Sequence, residues 1–181
     1  NRIEEKLKET TTEKEKLQLQ LEYAKNTDVL TASDWFQKGY NSAELKEYDN
    51  AFKENIILFP HRLAPEKQLD IFKDLAETMP EYEWIVCQEQ TLTKEEYHTL
   101  LGRAKIVFSA NTQETLGISC YEGALVGASP MVPNRLSYKE MYSDDFKYPS
   151  KWTESWELYI ENKDKLISTI IEYVEHHDHY K

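Results

Sequence analysis

Two positively charged side chains stand in a short segment that follows an apolar run and precedes a helical pattern. Arg62 and Lys67 are five residues apart, and the apolar run at residues 55–59 is typical of a buried strand. Arginine offers a planar fork to phosphate, and lysine offers a point charge. The N–H groups at a helix start also favour an anion. The segment therefore fits diphosphate binding, and a surface turn with two solvated cations is the alternative.

Two glutamates stand eight residues apart after a later apolar run. Glu114 precedes a helical segment, and Glu122 lies about 2.2 turns further along, so both carboxylates can face one cleft. Gly117 at the helix start would let a ligand approach the backbone N–H groups. Carboxylates accept hydrogen bonds from sugar hydroxyls and amides bind phosphate oxygens, which suits a sugar nucleotide. A capped helix with one exposed glutamate and an incidental second one is the alternative.

Alternating strand and helix patterns would place both segments at one edge of a sheet. Four short apolar runs predict strands, at residues 55–59, 83–87, 105–109 and 129–133. Three helical patterns accompany them, at residues 65–79, 93–101 and 117–126. This order predicts a Rossmann-like α/β fold, a parallel sheet with helices on both faces. Ligands of such sheets lie at the carboxyl ends of the strands.

Local signals refine these elements. Thr93 and Glu96 have the spacing of a capping box at the start of the second helix. Prolines flank the strand at residues 129–133, which predicts a position near a sheet edge. A helical turn is expected at residues 137–142, and two terminal helices are expected at residues 152–160 and 163–175.

The N-terminal part of the chain differs in composition from the rest. Residues 1–26 are rich in charge and predict a helix, either a solvated surface helix or one strand of a coiled coil. Residues 27–54 read as a strand, a helix and a linker. Residues 55–181 then form the Rossmann-like domain with its C-terminal helices.

Composition excludes several classes of protein. Of the 181 residues, 40% are hydrophobic and 12% are aromatic, which is enough to form a core. The net charge of −11 opposes a nucleic-acid groove in this segment. No apolar run approaches the roughly 20 residues that span a bilayer. Cys87 and Cys120 lack metal-ligand spacing, so we expect packed thiols, a reducing compartment and a cytoplasmic location.

Other titratable residues have simpler interpretations. His176, His177 and His179 could bind a metal adventitiously, but a polar helix end explains them as well. His98 lies on a short helix and is expected at the surface or in the core. The adjacent acidic pair at residues 144 and 145 is expected in a surface turn, so no metal site is predicted.

Residues 55–133 resemble the C-terminal, nucleotide-sugar-binding domain of two-domain glycosyltransferases of the GT-B fold, especially the retaining, glycogen-synthase-like family four. In that family an arginine and a lysine five apart follow the first strand, as Arg62 and Lys67 do here. An E-x7-E signature with glycine three residues after the first glutamate matches Glu114, Gly117 and Glu122. The segments at residues 60–62 and 33–35 also resemble the glycosyltransferase-like proteins that mannosylate queuosine in tRNA.

The resemblance implies roles for these residues. Arg62 and Lys67 would hold the diphosphate of a UDP-, GDP- or ADP-sugar and stabilise the leaving group. Glu122 would bind the ribose hydroxyls, and Glu114 would contact the transferred sugar near the reacting carbon. Further donor contacts would come from the loop and helix start, namely Thr115, Leu116, Gly117, Ile118 and His61. No metal or other cofactor would be required.

The chain departs from the family pattern in two ways. His61 stands where the family usually has glycine, so its side chain would crowd the phosphate or contact it. The family also needs a preceding Rossmann-like acceptor domain, of which residues 28–47 would be the last strand and helix. The chain is therefore expected to be a fragment, or a natural short protein without the acceptor half. The acceptor stays open between a small molecule, a glycan and a nucleic acid. Two other functions stay open: a non-catalytic interaction module, and a nucleotide-sugar epimerase or hydrolase.

Overall fold

A five-stranded parallel sheet forms the centre of the chain. The computed structural model describes residues 45–48 and 52–180. The strands are β1 (Glu54–Phe59), β2 (Glu83–Val86), β3 (Ala104–Phe108), β4 (Ser129–Pro133) and β5 (Lys147–Tyr148). Their order across the sheet is β2-β1-β3-β4-β5, and all neighbours run parallel. The predicted α/β class and parallel sheet are confirmed.

Helices cover both faces of this sheet. They are α1 (Leu69–Thr78), α2 (Lys94–Arg103), α3 (Ile118–Leu125), α4 (Tyr138–Met141) and α5 (Trp156–Glu175). Because successive residues of a strand point to opposite faces, Ile57 and Phe59 of β1 join a buried cluster with residues of α1 and α5. On the other face, α2 packs beside α3, and α3 contacts β3 and β4.

The strand β4 lies next to the edge strand, which confirms the expectation from its prolines that it is near the sheet edge. The two-residue strand β5, which the sequence pattern did not reveal, forms the edge. Pro130 precedes the pairing with β5, which begins at Val132. Pro133 follows the last pair with β3, Phe108 with Met131. Neither proline therefore removes an N–H group that a ladder hydrogen bond needs.

The helix predicted over residues 65–79 is divided. A 3-10 turn at Pro65–Lys67 precedes α1, and Gln68 between them has a left-handed backbone with φ of 53°. The side-chain amide of Gln68 donates to the carbonyls of Ala110 and Thr153. The first bond joins the loop after β1 to the loop after β3, and the second joins it to the segment before α5. Together they compensate for the strained backbone.

The two predicted terminal helices are a single helix. The α5 helix runs through 20 residues, and the Ser155 hydroxyl caps it by accepting from the N–H of Leu158 at 3.3 Å. Asn162, where we expected the break, is buried and donates to the carbonyl of Leu158 at 2.8 Å. An asparagine that bonds back to the preceding turn does not end a helix. The preceding residues form a separate 3-10 turn, Ser150–Thr153.

The remaining expectations fall into two groups. The capping box at α2 is confirmed, with Glu96 N–H on the Thr93 hydroxyl at 3.2 Å and Thr93 N–H on the Glu96 carboxylate at 2.7 Å. The predicted helix at residues 1–26 and the strand and most of the helix at residues 27–44 lie outside the described residues. Within the described ranges, no helix has the length and apolar character of a membrane span.

Replacing Gly123 with alanine tests the contact between α3 and β3. A Cβ at Gly123 would lie 2.5 Å from Cγ1 of Val107, so overpacking should cost about 1–3 kcal/mol of folding free energy. In an unobstructed helix the same change would stabilise by roughly 0.5–1 kcal/mol. Urea denaturation measures whether the free energy of unfolding falls or rises. A rise would contradict the close packing of Gly123 against Val107.

Candidate functional site

The sheet has its topological switch point between β1 and β3. The chain leaves β1 toward β2 on one side and returns to form β3 on the other side. Loops that follow such adjacent strands diverge at their carboxyl ends and leave a crevice between them. A cleft of about 510 Å³ lies between the loop after β1 and the loop after β3. That volume is within the usual range of small-molecule sites.

Most of the predicted site residues meet in this cleft. The predicted residues that line it are His61, Arg62, Lys67, Glu114, Thr115, Leu116, Ile118 and Glu122. Gly117 is buried beside them and is not part of the lining. The spacing of the two motifs therefore predicted their spatial convergence, although it does not establish what they bind.

Lys67 and Glu114 form an ion pair across the two loops. The Lys67 Nζ lies 2.9 Å from Oε2 of Glu114 and also 2.9 Å from the carbonyl oxygen of Gln113. The two side chains are only 9% and 16% exposed, so little solvent screens their attraction. The 3-10 turn at Pro65–Lys67 directs the ammonium toward the second loop.

The Glu114 carboxylate collects further donors. Its Oε1 accepts from the N–H groups of Thr115 and Gly117, each at 3.1 Å. Its Oε2 also accepts from Nδ2 of Asn111 at 2.8 Å. Burial on its own would raise the pKa of Glu114, but the Lys67 ammonium and the Gly117 N–H outweigh it and hold the pKa below its usual value. Glu114 is therefore ionised at neutral pH.

His61 lines the cleft but is almost fully buried. It is 3% exposed, and its Nε2 is 3.2 Å from the carbonyl oxygen of Phe108, which can only accept. We therefore assign the proton to Nε2, which leaves Nδ1 to accept from the Ser119 hydroxyl at 3.3 Å. Burial, aided by the charge of Lys67, lowers the pKa of His61 to about 4. The neutral ring joins the end of β3 to the first turn of α3, so its main contacts are internal to the protein.

Arg62 is much more exposed than Lys67. Its side chain is 74% exposed and forms an ion pair with Glu66, four residues along. Exposed pairs of this kind are worth about 0–1 kcal/mol. The guanidinium can therefore leave Glu66 for a ligand at small cost.

Glu122 projects from α3 into the same cleft. The hydroxyl of Tyr97, on α2, donates to its Oε2 at 3.2 Å. Burial raises the pKa of Glu122, with Tyr97 and Lys94 acting in the opposite direction. Tyr97 is a cleft residue that the sequence analysis missed, because one tyrosine within an ordinary helical pattern carries no spacing signal.

Gly117 has a different role from the one predicted. Its φ is +59°, and a Cβ there would lie 2.5 Å from Cε1 of Tyr138. The space beside it is thus filled by an aromatic ring, and its N–H is held by Glu114. The glycine is required for the left-handed turn and for packing, which corrects the view that it opens the backbone to a ligand.

A buried polar cluster that the sequence analysis also missed supports the cleft. Nδ2 of Asn111 lies 3.1 Å from the Tyr138 hydroxyl, which lies 3.0 Å from Oγ of Ser109. Arg135 donates to the carbonyls of Ala110 and Asn111, both at 2.6 Å. A single arginine after a strand is not a recognisable sequence signal for a role in this cluster. The fold brings Arg135 to this loop.

Cys87, Cys120 and His98 take the buried positions that the simpler interpretations allowed, but the buried His177 does not fit a polar helix end. Cys87 and Cys120 are buried free thiols, and burial raises the pKa of each to about 12. His98 is buried and packs edge-on against Tyr48. His177 is buried within a 3-10 turn at the end of α5. The described part of the chain has no group of three or more histidine, cysteine or acidic side chains arranged to hold a metal.

Comparison with known proteins adds no further assignment. The sequence matches no protein-family model, and no similar curated protein is found.

The buried His61 predicts a specific dependence of stability on pH. Since its pKa falls from 6.5 to about 4 on folding, the unfolded state binds more protons between these values. Stability present above pH 6.5 is therefore lost as the pH falls toward 4, by about 3 kcal/mol from this residue.

Urea denaturation across this pH range should give a flatter curve for His61→Gln than for the unchanged protein. The difference between the two curves isolates His61 from other titrating groups such as His177 and Glu114. Parallel curves would contradict a buried neutral imidazole.

Proposed function

We propose that this chain contains the donor-binding domain of a glycosyltransferase that takes a nucleoside diphosphate sugar. The observation that carries the proposal is the convergence of Arg62, Lys67 and Glu122 in one cleft at the switch point of the sheet. The resemblance of residues 55–133 to the GT-B donor domain supports the same function. Transfer with retention of configuration rests on that resemblance.

The diphosphate would bind where positive charge and free N–H groups coincide. Arg62 supplies a mobile guanidinium, and Lys67 supplies a fixed ammonium. The first turn of α3 presents N–H groups of Ile118 and Ser119, which have no acceptor within a helix. When the bond between sugar and phosphate breaks, negative charge grows on the diphosphate, and these groups would stabilise it as it develops.

The ribose would bind at the other end of the cleft, near Glu122. A carboxylate accepts hydrogen bonds from vicinal hydroxyls, and Tyr97 fixes the orientation of the Glu122 side chain. The acceptor would be a small molecule, a glycan or a nucleic acid. By analogy with the two-domain family, a preceding domain would bind it, so transfer requires more than residues 55–181.

Replacing Arg62 with alanine tests the proposal directly. We expect one of UDP, GDP or ADP to bind with saturation. Arg62→Ala should weaken the affinity for that nucleotide about 10- to 100-fold, since one charge-assisted hydrogen bond is lost. Isothermal titration calorimetry measures both affinities.

A matched control comes from the opposite end of the strands. Arg103 pairs with Glu54 at 2.7 Å at the start of β1, and it is likewise partly exposed. Arg103→Ala removes an arginine and an ion pair without touching the cleft, so nucleotide affinity should not change. A folded protein that binds none of the nucleotides would instead favour the non-catalytic interaction module.

Nucleotide affinity should be the same in EDTA and in Mg²⁺. Arg62 and Lys67 would neutralise the diphosphate themselves, so the chain does not need a divalent cation for this purpose. Parallel titrations in the two buffers check this expectation, and binding that appears only with Mg²⁺ would contradict it. For a longer chain that includes the acceptor domain, product analysis would distinguish transfer from epimerisation or hydrolysis.

A further inference from the structure

Four hydrogen-bond donors of the protein already occupy the Glu114 carboxylate. Two backbone N–H groups, from Thr115 and Gly117, point at Oε1. Two side-chain donors, from Lys67 and Asn111, point at Oε2 at 2.9 and 2.8 Å. A carboxylate has about four acceptor positions. A sugar hydroxyl could therefore bind Glu114 only by displacing one of these donors.

Displacing one of these donors would cost free energy. Removing Lys67 from Glu114 would leave two buried charges without their partners. Removing the N–H of Gly117 would open the turn that begins α3. These contacts stabilise the cleft, and a sugar hydroxyl offers a weaker hydrogen bond than an ammonium does.

Lys67, in contrast, keeps capacity for a ligand. An ammonium has three N–H donors, and two of them are directed to the Gln113 carbonyl and to Glu114. Lys67 lines the cleft. With two donors fixed, the third has a defined direction, which lowers the entropy lost when a diphosphate oxygen accepts from it.

We infer that Glu114 is a positioning residue that fixes Lys67 and the start of α3 for the donor diphosphate, and that it does not contact the transferred sugar. This inference rests on the proposed function, because it assigns a role within donor binding. It also accounts for the ion pair between the two charged residues. The pair is part of the finished binding site, so donor binding need not break it.

A comparison of two ligands separates positioning from sugar contact. If Glu114 acts through Lys67, Glu114→Gln should weaken the affinities for a nucleoside diphosphate and for its sugar conjugate by the same factor, about 10- to 100-fold. If Glu114 contacts the sugar, the variant should bind the nucleoside diphosphate normally and lose affinity for the conjugate alone. Calorimetry with UDP, GDP or ADP and the corresponding hexose conjugates gives both ratios.

Two further variants complete the test. Glu114→Asp keeps the charge but is too short to hold all four donors, so it should show the same equal losses. It also replaces Glu114→Gln if that variant fails to fold. Glu114→Gln combined with Lys67→Met should lose little beyond Lys67→Met alone, because both changes remove one interaction. Glu54→Gln, which breaks the pair with Arg103, is the control and should change neither affinity.

The outcomes are distinguishable from a failure of the proposed function. If the unchanged protein binds neither class of ligand, the donor-binding function fails and the inference fails with it. If the unchanged protein binds both and Glu114→Gln affects only the conjugate, the inference alone is overturned. Tighter binding of both ligands by Glu114→Gln would also overturn it, since the carboxylate would then merely oppose the diphosphate.

Discussion

The ion pair between Lys67 and Glu114 determines the geometry of the cleft. It joins the loop after β1 to the loop after β3, the two loops that diverge at the switch point of the sheet. A buried ammonium is stable only with a close partner, and the same holds for a buried carboxylate. Each loop therefore depends on the other for its conformation. Between loops that the fold alone would leave apart, this pair supplies a fixed separation.

Side-chain hydrogen bonds to backbone carbonyls also hold this edge of the sheet. Arg135 and Gln68 donate to backbone carbonyls of Ala110 and its neighbours in the loop after β3. The Tyr148 hydroxyl donates to the carbonyl of Ser109 at 2.6 Å. Thus β5, only two residues long, contributes a buried ring directly beneath the loop. Carbonyls that lie beyond the last ladder bonds need donors, and these side chains supply them.

Sequence reasoning was most accurate where a short-range pattern determines the structure. The apolar runs predicted β1 to β4, and the spacing of Thr93 and Glu96 predicted a capped helix, because each pattern reflects contacts within a few residues. It failed at Gln68, where long-range partners decide the backbone, and it did not reveal β5. It likewise gave no sign of Asn111 or Tyr138, since a buried polar residue is recognisable only when its partners are known. Gly117 was singled out because glycine would let a ligand approach the backbone N–H groups, but its packing against Tyr138 depends on the fold.

The two cations of the cleft differ in a way that suits the capture of a charged ligand. Lys67 is held by partners on both loops, so it is already oriented and loses little freedom when a ligand arrives. Arg62 is exposed and weakly paired with Glu66, so it can reach outward at small cost. The chain as a whole carries a net charge of −11, which repels anions at long range. Anion binding here would therefore depend on short-range contacts with these two groups and with the first turn of α3. Such contacts have directions, so they would favour a ligand whose phosphates match the spacing of the cleft over anions in general.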